Sequence, residues 1–242
     1  MTKQLTVLYE FLIDRFQVKT IVLFGSTARG EQTSTSDIDL LLITEKKIKR
    51  REVLKAIPDT LYPKRKLGLS TYSADQVNSA YRKGSLFMAH LLKEGKVAYD
   101  DGFFKRLSSK PFILSTSRMR LSLKIFDERV KLTNDLRIYD KHFVRVLSDF
   151  YAMAKNIAFI LLAYEGDLIF NRKKAFAMLS ERYPSHKETI ENLQELEPFY
   201  IRTHRGAIER YPLPPSYSEE KVAQLRLELK ELITLGEKEI AC

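Results

Sequence analysis

Cysteine is almost absent from this 242-residue chain: the single one, Cys242, is the last residue. That excludes a disulfide framework and a cysteine-based zinc cluster, and it favours a reducing, cytoplasmic setting. The four histidines include no pair at zinc spacing, so no zinc site is expected. Long apolar runs are also lacking. The longest wholly apolar stretch, Ile157 to Tyr164, is far short of the roughly 20 residues a membrane-spanning helix needs, so no membrane partner is expected. The first twenty residues include Glu10 and Asp14 and show no secretory signal. Low-complexity tracts and internal repeats are missing as well. With 44% hydrophobic and 30% charged residues, the composition is that of a folded chain rather than a disordered one.

What is present in excess is positive charge. Forty-one Lys and Arg against 31 Asp and Glu give a formal net charge of +10, which favours a polyanionic partner. Most of it lies early: residues 1–112 carry a net +8 and residues 113–242 a net +2. Near Lys110-Pro111 the periodicity changes too. Before it, helical and strand patterns alternate. Leu5, Leu8, Tyr9, Leu12 and Phe16 follow helical spacing, and Thr20 to Phe24 reads as a buried strand ending at Gly25. Asp37 to Thr44 reads as a second strand, a basic helix spans about 49–57, and Lys66 to Tyr72 makes a third strand. Ser73 and Gln76 form a capping box, and Leu86 to Glu94 is helical up to Gly95. After the break, only helices are expected, near 117–135, 141–165, 171–182, 186–209 and 218–239. The expected fold is therefore α+β: a small mixed-sheet domain over 1–110, then an all-α helical bundle over 111–242.

Chemistry concentrates in Val22-Leu-Phe-Gly-Ser-Thr-Ala-Arg-Gly30 and Ser36-Asp-Ile-Asp-Leu-Leu-Leu42. Gly25 lets the chain turn sharply out of a strand and brings backbone close to a ligand. Ser26 then stands where a hydroxyl and unpaired N–H groups hold phosphate oxygens. Asp37 and Asp39, two apart on a strand, share one face, while Ile38, Leu40 and Leu42 take the other into the core. Paired carboxylates repel unless a cation sits between them, and they suit Mg²⁺ bound with a substrate's phosphates.

Gly-Ser, ten residues, then Asp-x-Asp opening an apolar strand resembles the signature of the DNA polymerase β-like nucleotidyltransferases, most closely the minimal nucleotidyltransferases of bacteria and archaea. The resemblance covers about residues 1–105 and includes Gly84 to Tyr99, which looks like the helix closing that domain. It implies transfer of a nucleoside monophosphate from an NTP to a hydroxyl acceptor with two divalent metals, Mg²⁺ or in its place Mn²⁺. Carried over by position, Asp37 and Asp39 are the catalytic metal ligands and Gly25 and Ser26 bind the triphosphate. Arg29, Gly30 and Ser36 are further candidates for nucleotide binding, though Arg29 and Gly30 could instead only close the turn. The chain departs from the family at one place. A third carboxylate is usual on the next strand, and the alignment sets Gly68 there, with no Asp or Glu between Thr60 and Ala74. This leaves as alternatives a nucleotide-binding regulatory protein of impaired catalysis, or an antitoxin-like transferase that modifies a partner protein.

The basic run Lys46-Lys-Ile-Lys-Arg-Arg51 is expected to be a solvated loop and helix start rather than a nucleic-acid surface, so an NTP is preferred over nucleic acid as partner. The helical half resembles bundles that accompany such transferases, including the HEPN type. Arg137 and His142 match the spacing of HEPN ribonucleases but lie early in the bundle. The acceptor and the oligomeric state are open, a homodimer being one option.

Overall fold

The structure is a computed structural model that describes residues 3–32, 36–63, 67–134, 143–204 and 216–241. The chain divides into two compact units, Met1–Ser115 and Thr116–Cys242.

The first unit is built on a four-stranded mixed sheet of order β3-β2-β1-β4. Helix α1 (Lys3–Arg15) leads into β1 (Val18–Phe24), followed by the short α2 (Gly25–Arg29), β2 (Ile38–Thr44), α3 (Arg50–Ala56) and β3 (Leu67–Ser73). Then come α4 (Ala74–Arg82), α5 (Leu86–Glu94), β4 (Lys96–Asp100) and α6 (Phe103–Ser108). β1 pairs antiparallel with both β2 and β4, and β2 pairs parallel with β3. Alternation along β1 and β2 splits the core by face. Ile21, Leu23, Leu40, Leu42 and Leu69 pack with Leu5, Leu8 and Leu12 of α1, whereas Val22, Leu41 and Ile43 pack with Val77 of α4 and Met88 and Leu91 of α5.

The capping box at α4 forms as the sequence dictates: Gln76 N donates to Ser73 Oγ at 3.2 Å, and Ser73 N donates to Gln76 Oε1 at 3.0 Å. Two elements differ from expectation. The stretch to Tyr99 is not all helix, because Lys96–Asp100 leaves α5 at Gly95 and becomes the edge strand β4. A Cβ at Gly95 would run against the Leu91 carbonyl and Val22 Cγ1, so only glycine allows so tight a return. Helix α6 was not legible either. Asp100 and Asp101 start it, with Phe104 N donating to Asp100 Oδ1 at 2.9 Å and Phe103 N to Asp101 Oδ1 at 2.8 Å.

Among its described residues the second unit holds helices and no strand: α7 (Thr116–Lys131), α8 (Val144–Tyr164), α9 (Arg172–Arg182), α10 (Lys187–Gln194), α11 (Glu197–His204) and α12 (Glu219–Ala241). α8 is the hub, packed against α7 and α9 to α12. It is long and apolar enough to cross a membrane, which the sequence reading had not credited to any segment, yet 72% of its apolar window is buried inside the unit. The helix expected over 186–209 is broken in two. Pro198 lacks an N–H and its ring obstructs the carbonyl four residues back, so the chain restarts at Glu197 with the proline in the first turn. Arg137 and His142 lie outside the described residues.

Candidate active site

The site forms where β1, β2 and β3 end side by side. β1 stops at Phe24, and Gly25 adopts a positive φ of 70° to open α2. In the sheet, Asp39 lies opposite Phe24 on β1 and opposite Gly68 on β3. A methyl group on Gly25 would collide with Asp39 Oδ2, and one on Gly68 would collide with Asp39 Oδ1 and come within 3.3 Å of Asp37 Oδ2. The Asp39 carboxylate therefore lies in a slot walled by two glycines, and Asp37 turns toward the same space. Gly25, Asp37, Asp39 and Gly68 are brought together, and Ser26 follows directly on Gly25.

The loop behind them is tied down locally. Thr27 Oγ1 donates to the Asp37 carbonyl at 3.4 Å, and Glu31 N donates to the Ser26 carbonyl at 2.9 Å. Ser36, half-buried, immediately precedes Asp37. Gly30 ends α2 in the left-handed conformation with φ 75°, and a Cβ there would meet nothing within 4 Å.

Arg29 faces other carboxylates. Its Nε donates to Glu31 Oε2 at 2.6 Å and its Nη1 to Glu94 Oε2 at 2.7 Å, and His90 Nε2 lies 3.1 Å from the same Glu94 oxygen. His90 also meets the Phe24 ring edge-on at 5.7 Å. This network fastens the end of α2 to α5. The sequence alone gives His90 no role. The spacing of His90 and Glu94 on one helical face was a signal, but their meeting with Arg29 depends on the fold. Burial pulls the Arg29 guanidinium down, and hydrogen bonds and charges from Glu31 and Glu94 more than restore it, leaving it above its usual range. For Glu94, burial is the largest influence and pushes up, yet the hydrogen bonds and charges of His90 and Arg29 hold it below the ordinary value of 4.5.

A carboxylate lowered on folding adds stability that is present above its unfolded value and is lost as pH falls through the folded one. The network thus weakens as pH drops below about 4.5, and Glu94→Gln flattens that acid limb. Thermal melts of both proteins from about pH 3 to about pH 7 check this. Superimposable acid limbs would remove Glu94 from the account.

The basic run does not reach the carboxylates along the sheet. Lys46 and Lys47 follow the far end of β2, past Thr44, and that end lies about 16 Å along the strand from Asp39.

As ligands, Asp37 and Asp39 offer hard oxygen donors suited to Mg²⁺. Among the described residues, no group of three or more His, Cys, Asp or Glu side chains converges as a metal cluster. Residues 5–88 match the sequence model of the nucleotidyltransferase domain. Two candidate protein adenylyltransferases of Methanocaldococcus jannaschii are similar over a short stretch. MJ1379 is 58% identical over 33 residues, 14% of this chain and 33% of that protein. MJ0126 is 58% identical over 31 residues, 13% and 32% respectively. The match spans about a third of each relative's length. Among solved structures, spectinomycin adenyltransferase AAD(9) from Enterococcus faecialis, in complex with ATP and spectinomycin, has a TM-score of 0.54 at 14% identity. That likeness covers 94% of this chain and 98% of the enzyme, and it is a likeness of fold. The likeness of fold extends over residues of both units.

Proposed function

We propose that this chain transfers a nucleoside monophosphate, AMP in the first instance, from a nucleoside triphosphate to a hydroxyl acceptor, in the cytoplasm. The observation that carries the reading is the convergence of the Asp37 and Asp39 carboxylates on the space beside Gly68, next to the Gly25 turn. AMP is named first because both curated relatives are candidate adenylyltransferases and the fold relative holds ATP.

Asp37 and Asp39 would hold Mg²⁺, which when bound neutralises triphosphate charge and polarises the phosphoryl group. The Ser26 hydroxyl donates to a phosphate oxygen, and Gly25, lacking a side chain, leaves the phosphates room to lie against the backbone. The acceptor oxygen attacks the α-phosphorus in line. The new bond is acceptor O–Pα, the bond broken joins Pα to the bridging oxygen, and pyrophosphate leaves with that electron pair. The acceptor proton passes to water or buffer. Arg29 positions the turn through Glu94 rather than by touching phosphate. Ser36 and Gly30 shape the loop that returns to β2.

Incubation of the purified chain with Mg²⁺, α-labelled ATP and, in turn, an aminocyclitol, a cell extract and RNA tests the reading. Label is expected on one acceptor class, with ATP preferred over the other triphosphates. A second reading, nucleotide binding without turnover, is favoured by Gly68, and calorimetry showing bound ATP with no labelled product would establish it. Neither binding nor transfer would remove both.

A further inference from the structure

The position beside Asp39 in the sheet bears on how many cations the site can hold. In-register neighbours on adjacent strands present side chains on the same face. For Asp39 these neighbours are Phe24 on β1 and Gly68 on β3, and neither offers a ligand. Ser70 and Tyr72 follow Gly68 on that face, and β3 contains no Asp or Glu. Two carboxylates carry a charge of −2, which one divalent ion balances. A second ion, about 3.5–4 Å from the first in two-metal sites, gains no further side-chain oxygen from the in-register neighbours to offset the repulsion.

The missing ligand is only half of the observation. The volume where a carboxylate stem would start at position 68 is already used, because a Cβ there would collide with Asp39 Oδ1 and lie 3.3 Å from Asp37 Oδ2. Gly68 is more than a deletion of an acid. It yields its space to the two acids that remain, and Asp39 leans into that space while Gly25 closes the opposite side.

We infer that this site takes one divalent cation, not two, and that Gly68 sets the number by giving its space to the Asp39 carboxylate. The inference rests on the nucleotidyl-transfer reading of the site and adds a property that reading does not require. Gly68 is here a positioning residue: it acts through Asp39.

Crystals of the full chain with Mn²⁺ and a non-hydrolysable α,β-methylene ATP analogue give the count directly by anomalous scattering, and electron paramagnetic resonance of free Mn²⁺ gives it in solution. One manganese per chain, within bonding distance of Asp37 and Asp39, is expected. Two would overturn the inference while leaving nucleotidyl transfer intact, and none, with no analogue bound, would overturn both. Gly68→Ala should weaken Mn²⁺ binding on the order of tenfold by displacing Asp39. Gly68→Asp carries the same Cβ and should displace Asp39 likewise, so the count should not rise above one. Unchanged Mn²⁺ affinity in a folded Gly68→Ala protein would show that Gly68 does not position Asp39. If neither variant folds, the count in the unaltered chain still decides the cation number.

Discussion

Asp39→Asn is expected to lower nucleotidyl transfer on the order of a thousandfold while leaving the melting temperature unchanged or slightly raised. The substitution keeps the shape that fits between Gly25 and Gly68, so the slot is not emptied. What it removes is one of two negative charges that face the same space. In the absence of a cation those charges repel, and their repulsion is a folding cost that Asn relieves. With triphosphate and cation bound, the same charge is needed as a ligand, so function falls where stability does not. Asp37→Asn should follow the same pattern with a smaller loss. Asp37 precedes β2, whereas Asp39 is held inside the sheet between strands on both sides. Label transfer and thermal melts on the three proteins check this. Turnover within tenfold of the unaltered chain for Asp39→Asn would remove that carboxylate from the chemistry.

The legible parts of this molecule were those in which local chemistry and tertiary packing agree. Asp37 and Asp39 sharing a face, with Leu40 and Leu42 on the other, follows from strand period alone, and the core divides accordingly. Ser73 and Gln76 cap a helix whatever surrounds them. Gly68 lies opposite Asp39 in the parallel pairing of β2 and β3, where the alignment implied by the family resemblance sets it. What was not legible depends on contacts between distant residues. β4 has no apolar alternation to announce it: Lys96 and Val97 are exposed, and its place is fixed by pairing with β1. Arg29, Glu94 and His90 stand 65 and 61 residues apart in the chain, and only the packing of α2 on α5 joins them. The break before Pro198 is written in the proline itself, but apolar residues continue at helical spacing on either side of it and mask it.

Gly25→Ala and Gly30→Ala make a matched pair that separates backbone strain from site geometry. Both glycines have positive φ, 70° and 75°, so alanine at either costs about 1 kcal/mol or somewhat more. Only the surroundings differ. At Gly30 the added methyl meets nothing within 4 Å, so the penalty stops there. At Gly25 it runs into the Asp39 carboxylate, with Asp39 Cγ at 3.2 Å and Cβ at 3.4 Å from the new atom. Asp39 has to move to make room, because its Oδ2 would stand well inside contact distance of the new atom. The carboxylate must tilt out of the slot, and a displacement of about 1 Å at a reacting centre costs on the order of a hundredfold in rate. Gly30→Ala should therefore melt slightly lower than the unaltered chain and keep its turnover, whereas Gly25→Ala should melt lower still and lose about a hundredfold. Equal losses of activity in the two variants would mean that Gly30 itself touches the nucleotide, and that the collision with Asp39 is not what makes Gly25 necessary.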